Sequence, residues 1–386
     1  MTVTVLRAAA MFDGTRLIAD PRVVIQDGKI VALGEMPDAA EVVELPRLTL
    51  VPGLVDSHVH LAFDASDDPV GRLAERDDAA VFAAMAAAAR AAVRGGVTTV
   101  RDLGDRGFLS LGLRDAAPYD SSLPTIVAAG PPITSPGGHC HFLGGETTDV
   151  RAAVREHVSR GVDVIKIMAS GGNLTAGSEP TASQFGLQEL RTAVDEAHRH
   201  GLPVTAHAHG EQAIRDALAA GVDGLEHASF MTADSVDPVP DDVLKEIVSR
   251  EAFIGLTAGI RPIPGVSPPP AIASRMPLFS RNMRRMYEGG AKVLAGTDAG
   301  IGPVKPPDVL RWGVGQLTTL GMTPCEALRI ATVDGAAACG LADRKGRIAP
   351  GFDADILAVE GNPLDDLSAL HRIKAVYVRG VTVFKA

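Results

Sequence analysis

Short apolar runs separated by turn residues recur along the whole chain, but their spacing changes near residues 52 and 346. In the first fifty residues Val23-Val24-Ile25 leads into the turn Asp27-Gly28 and then Lys29-Ile30-Val31-Ala32, a hairpin pattern. Val42 to Leu45 reads as a further short strand. The last forty residues show the same pattern. Asp355 to Val359 and Ala375 to Val378 are strand runs, and Arg379-Gly380 turns the chain into Val381 to Phe384. Two all-β ends around a long middle predict one small β-sandwich domain, built from residues 1–52 and 347–386.

The middle, residues 53–346, alternates strand runs with amphipathic stretches. Strands are expected at 54–62, 97–103, 125–129, 163–169, 203–209, 224–229, 253–258 and 292–298. Helical runs lie between them, for example Asp149 to Ser159, Leu187 to His200, Glu211 to Ala220 and Asp241 to Arg250. Gly161, Gly201 and Gly221 each follow a helical run, as glycine at a C-terminal cap does. Eight strands alternating with helices predict an α/β fold, a (β/α)8 TIM-like barrel. A doubly wound open sheet is the competing architecture, but no Gly-rich phosphate fingerprint opens the first unit.

Onto this frame fall the residues that carry chemistry. His58 and His60 lie in Val-Pro-Gly-Leu-Val-Asp-Ser-His-Val-His-Leu, residues 51–61. Side chains two apart on a strand share a face, so both imidazoles project together, which suits a divalent metal such as zinc. Lys166, His207, His227 and Asp298 lie in later strand runs, near the boundary with a loop. In a parallel barrel those ends form the active-site mouth. Metal-ligand residue types recurring there are hard to explain by packing.

Composition narrows the reading. The 386 residues carry a formal net charge of −10 with no Lys/Arg run, so a nucleic-acid footprint is not expected. The Ala-rich stretch from Asp78 to Val93 is too short and too weakly apolar to span a membrane. The N-terminal residues do not read as a secretory leader, and Cys140, Cys325 and Cys339 show no disulfide or metal spacing. The cytoplasm is the expected compartment.

These motifs together resemble the amidohydrolase superfamily, in particular its imidazolonepropionase-like and Xaa-Pro dipeptidase-like branch. Gly53-Leu54-Val55-Asp56-Ser57-His58-Val59-His60 resembles the first-strand motif, and Gly95 to Leu103 the second strand. Lys166 to Gly172 resembles the fourth strand, Gly296 to Gly300 the eighth, and Lys345 to Asp355 the return into the small domain. The resemblance implies two divalent metal ions, usually zinc. His58 and His60 would bind the more buried one, and His207 and His227 the other. Lys166 would be carboxylated and bridge them; Asp298 would bind the first metal and act as proton shuttle. It implies a small-molecule substrate and a homo-oligomer. The activity implied is hydrolysis of an amide in a small molecule, such as an N-acyl amino acid, dipeptide or cyclic amide, through hydroxide held by the metals. A lactonase or deaminase on the same scaffold is an alternative, though Gly210 stands where deaminases often carry glutamate. A non-catalytic scaffold protein would be expected to have lost ligands.

Other residues are open. His209 shares a face with His207 and is a candidate substrate contact, as are His139 and, less strongly, His141. Cys140 between them reads as incidental. Asp56 orients a metal ligand or caps a loop. Arg101 and Asp102 are expected to form an internal ion pair. Arg261 is a candidate for a substrate carboxylate, beside a Pro-rich rim or lid loop from Pro262 to Pro270. His157, His198 and His200 read as surface residues. Asn173 and Phe185 depart from the branch, which often carries an apolar residue and Tyr there. The lost hydroxyl argues against ordinary dipeptide hydrolysis.

Overall fold

The computed structural model describes residues 3–38, 40–266 and 270–386, so the middle of the Pro-rich loop, 267–269, lies outside the described residues. The chain opens with strands β1 (Thr4–Phe12), β2 (Leu17–Ala19), β3 (Arg22–Gln26), β4 (Lys29–Leu33) and β5 (Glu41–Pro52). The middle supplies β6 (Leu54–Val59), β7 (Val97–Asp102), β8 (Thr125–Ala128) and β9 (Ile165–Met168). It continues with β10 (Val204–Ala208), β11 (Gly224–His227), β12 (Phe253–Gly255) and β13 (Lys292–Leu294). The chain closes with β14 (Ile356–Glu360), β15 (Ile373–Val378) and β16 (Val381–Lys385).

Both ends of the chain share one sheet, ordered β16-β15-β14-β5-β1-β3-β4 with β2 on β1. Its hydrogen bonding is a single continuous ladder rather than two. Strand alternation gives it two buried faces. Ile356 and Ala358 pack with Leu6, Met11 and Leu50, whereas Leu357 and Val359 join the large core of the middle.

The eight middle strands begin within two residues of the expected starts, but β6, β12 and β13 stop at Val59, Gly255 and Leu294, short of the expected ends. The strands pair as two parallel sheets, β13-β12-β11-β10-β9 and β6-β7-β8. The uninterrupted eight-strand ladder expected from the sequence is therefore broken in two places. At one seam the chain beyond β13 leaves regular pairing, yet Ser57 N still donates to Ala295 O (3.1 Å) and His60 N to Ala299 O (2.9 Å). At the other, Ile133, beyond the end of β8, exchanges bonds with β9: its N–H donates to Lys166 O and its carbonyl accepts from Met168 N, both 2.9 Å.

Helices flank these strands close to their expected limits. Val150–Arg160 begins on the side chain of Asp149, which accepts from Ala152 N, and ends at Gly161 with φ 79°. Leu187–Arg199, Glu211–Ala220 and Asp241–Ser249 follow. The Ala-rich run is the helix Asp78–Arg94, which buries Val81, Met85, Ala89 and Ala92. No helix among the described residues is long and apolar enough to cross a membrane.

One surface expectation fails. His157 is buried, with Nε2 2.7 Å from Pro131 O, Nδ1 2.8 Å from Ala153 O, and its ring against Phe108. It lies at helical spacing from the buried Val150 and Val154, and so on the inward stripe. His198 and His200 are half exposed, against Asp223 and Glu196.

A buried charge cluster sits where the chain returns to the end sheet. Lys345 Nζ lies 2.8 Å from Asp353 and 2.6 Å from Asp355. Lys29 also reaches Asp353, whereas Lys345 is the one cation that meets Asp355 among the described residues, beside the Arg379 N–H that donates to it at 2.8 Å. Lys345→Met is expected to destabilise the protein by about 3 kcal/mol, because it strands a buried carboxylate. Urea unfolding measures this; an unchanged midpoint would show that Asp355 finds other compensation.

Candidate metal centre

β6 delivers His58 to the site, and His60 follows one residue past its end. His58 Nδ1 lies 2.8 Å from Glu226 Oε2, a charge contact set off the ideal hydrogen-bond line. His60 Nδ1 faces Gly104 O at 3.1 Å. An Nδ1 aimed at a carboxylate or carbonyl oxygen carries its proton there, which leaves the lone pair on Nε2. The two Nε2 atoms are then 3.3 Å apart, and Asp298 Oδ1 is 3.6 Å from one and 3.2 Å from the other. The crowding is relieved either by a cation among these atoms or by a proton on His60, where burial opposes the charge but Asp298 raises the pKa. Burial opposes ionisation of Asp298, but His58 and His60 hold its carboxyl well below the usual range.

His207, His209 and His227 form a second cluster. His207 Nε2 faces Gly171 O at 3.0 Å, so Nδ1 is its free nitrogen. His209 Nδ1 meets Ser229 Oγ at 2.7 Å, and the His209 and His227 rings stack at 4.6 Å. The rings of His58 and His227 lie 5.5 Å apart, so the clusters adjoin. The Lys166 ammonium is near enough to both clusters for its charge to act on His58, His207 and His227 alike. Its Nζ is fully buried and has no hydrogen-bond partner, and burial pulls its pKa down to about 8.

The remaining candidates separate. The His139 ring packs 4.7 Å from that of His207, with Nδ1 buried and unpartnered. It stands directly over Gly172, where an added Cβ would come within 2.4 Å of its Nε2. His141 is half buried and turns Nδ1 back to Gly138 O. Cys140 is buried, and burial pushes its thiol up to about 12, which disables it as a nucleophile. Arg261 is half buried, and its Nη2 reaches Pro303 O at a long 3.4 Å. Phe185 is buried and Asn173 exposed.

The expected Arg101–Asp102 pair does not form. Neighbouring residues on a strand point to opposite faces. Arg101 donates to Ser57 O (2.7 Å) and Glu226 Oε1 (2.9 Å), while Asp102 accepts from Leu61 N (3.3 Å) and Gly104 N (3.1 Å). Asp56 binds a loop: it accepts from Thr297 N (3.0 Å) and Thr297 Oγ1 (2.6 Å), and from His58 N (3.3 Å).

Two residues with a part in the site do not stand out in the sequence. Glu226 gathers Arg101, Thr205 Oγ1 (2.8 Å) and His58 Nδ1 around one buried carboxylate. Lys305 donates to Thr257 O (2.8 Å) and Thr297 O (2.7 Å), next to the residues that contact His227 and precede Asp298. The only signal for Glu226 is a carboxylate inside an apolar strand run. Lys305, in a loop, gives none.

Comparison with known proteins decides the lineage. Residues 49–383 match the sequence profile of the Amidohydrolase family. The chain belongs to this family. It is thereby a hydrolase, with a TIM-barrel-like α/β domain and a β-rich domain. An ochratoxinase from Aspergillus niger is 28% identical over 85% of this chain and 73% of that protein. An imidazolonepropionase from Deinococcus deserti is 28% identical over 94% of this chain and 91% of its own length. A solved Xaa-Pro dipeptidase with methionine in its active site superposes over the whole of both chains, with a TM-score of 0.85 and 27% identity. The last two support the branch that the motifs indicated.

The amidohydrolase site suits divalent cations by its own chemistry: imidazoles, all but His60 held toward the neutral form by burial, a carboxylate, and a buried amine without a hydrogen-bond partner among the described residues. Burial, the largest effect, holds His58 and His209 down at about 4 and His139 at about 3. The unfolded chain takes up these protons near pH 6.5 and the folded chain does not. Between pH 6.5 and 4 the unfolded state therefore binds more protons, and stability falls with acidification. Calorimetry of metal-free protein should show Tm dropping across that window; a flat Tm would mean the imidazoles are not held neutral. Glu226→Gln is expected to weaken metal binding about 10–100-fold, as lost support of a metal-ligating histidine does. Metal competition titrations test this; unchanged affinity would leave Glu226 with a packing role alone.

Proposed function

We propose that this amidohydrolase is a binuclear metal enzyme that hydrolyses the amide bond of a small molecule. The observation that carries the reading is the pair of adjoining ligand clusters with an unpartnered buried amine near both. His58, His60 and Asp298 would hold one cation and His207 and His227 the other, with Lys166 as the group shared by both. This reading takes the eight middle strands as a closed barrel, residues 53–346, and residues 1–52 and 347–386 as the second domain.

The pKa of Lys166 near 8 leaves a fraction of neutral amine at neutral pH. That amine adds carbon dioxide and loses a proton to become a carbamate, an anion with two oxygens on a long stem. Divalent cations bound there, zinc being the family's usual ion, supply Lewis-acid polarisation and a water activated near neutral pH. Asp298 is ionised at pH 7, takes the water's proton, and passes it to the leaving nitrogen. His139 and His209 line the substrate side, and Arg261, lightly held, turns to a substrate carboxylate.

The names of the relatives, ochratoxinase, imidazolonepropionase and Xaa-Pro dipeptidase, support amide cleavage in small molecules. Phe185 in place of a hydroxyl-bearing residue favours an N-acyl amino acid or cyclic amide over a plain dipeptide. A screen of N-acyl amino acids, dipeptides, cyclic amides and lactones against metal-loaded enzyme identifies the class. Turnover of lactones alone would overturn the amide assignment.

Asp298→Asn is expected to lower kcat by about 10²–10⁴-fold while keeping part of the metal. Full activity would remove Asp298 as proton shuttle. Lys166→Ala is expected to lose the binuclear centre and to regain it with added short carboxylic acids. Elemental analysis showing both metals retained without such acids would exclude the carbamate.

A further inference from the structure

A second cavity lies away from the metal centre, between the strands and the end sheet. It encloses about 820 Å³ at the N-terminal ends of β8, β9 and β10, bordered by Thr125, Val164 and Pro203. Loops of the C-terminal part, including Leu341, Arg344 and Arg379, form its other wall. On β10, Pro203 borders this cavity and His207 the metal centre; four residues of strand put them about 13 Å apart. The volume is that of a pocket for a small organic ligand.

Its charges do not cancel. Among the lining residues, Lys29 is taken by Asp353 (2.6 Å), and Arg114 by Asp115 (3.0 Å) and Asp163 (3.2 Å). Arg101 is committed to Glu226. Arg379 spends Nη2 on the carbonyls of Ala117 (2.6 Å) and Asp120 (3.1 Å), and its side chain meets no carboxylate among the described residues. Arg344 is exposed, and its guanidinium has no partner among the described residues. Arg114 faces two carboxylates, so one negative charge stands against the two guanidiniums, Arg344 and Arg379, that meet none among the described residues. The lining keeps one positive charge in a protein whose formal charge is −10. The remaining wall is apolar, with Ile126, Val127 and Leu202, and at the rim Tyr119 is 92% exposed. An aromatic ring standing that free offers a stacking face.

We propose that this cavity binds a small organic dianion, an aromatic or otherwise apolar body carrying phosphate or two carboxylates. The unengaged guanidinium fork of Arg344 matches either oxyanion bidentately, Arg379, held by backbone carbonyls, adds its charge, and the apolar wall takes the body. The assignment is independent of the reaction at the metal centre.

Calorimetric titration of metal-loaded enzyme with phenyl phosphate and with benzene-1,3-dicarboxylate tests it. One of the two should bind saturably, one per chain, and the tighter one identifies the head group. Arg344→Glu should weaken that binding at least about tenfold. Leu202→Trp, which fills the cavity, should weaken it as well. Both variants should keep wild-type metal content and Tm. Asp298→Asn, altered at the metal centre, should bind as the wild type does. The proposal falls if neither compound binds at millimolar concentration, or if neither cavity variant changes the affinity. It also falls if binding disappears in Asp298→Asn and survives in Arg344→Glu, which would place the anion at the metals.

Discussion

The site depends on the compensation of one buried carboxylate. Glu226 is fully enclosed, and an uncompensated charge there would cost several kcal/mol. Its partners come from three other strands: Arg101 on β7, Thr205 on β10 and His58 on β6. Two of these strands belong to one sheet, and β10 and β11 to the other. The carboxylate therefore couples the sheets through their shared interior, in addition to the few backbone bonds at the seams. The same contacts set the ring orientation of His58, so folding and ligand geometry are enforced by one group.

Much of this is readable from spacing. His58 and His60 follow the period of two that puts side chains on one face, and the eight strands emerge from apolar runs bounded by turns. The misses follow from the same rule applied too simply or not at all. Arg101 and Asp102 are consecutive in a strand, so they point apart and cannot pair. His157 reads as polar surface by residue type, although its spacing from Val150 and Val154 puts it on the inward stripe of its helix. Glu226 escapes notice because a residue next to a ligand should face away from the site.

That Glu226 and His227 both serve the site traces to the backbone. His227 takes φ 72°, and Asp298, next to the buried Thr297, takes φ 60°. Left-handed residues interrupt alternation, so consecutive side chains engage neighbouring partners instead of opposite faces. Thr297 can then bond Asp56 while Asp298 faces His60. Such residues cost about 1–3 kcal/mol each and persist where surrounding contacts over-determine them. Asp56, Lys305 and the His58 carbonyl, which accepts from Asp298 N at 2.7 Å, do so here. The ladder breaks at this seam because the chain is turning to present a ligand, an event with no signature in hydrophobic periodicity.

Gly172 has a different kind of influence. Its missing side chain leaves the space that the His139 imidazole fills. A methyl there would collide with the ring and displace it. Residue 172 is thus a handle on the His139 imidazole, seated against His207, that leaves His58, His60 and Asp298 unaltered.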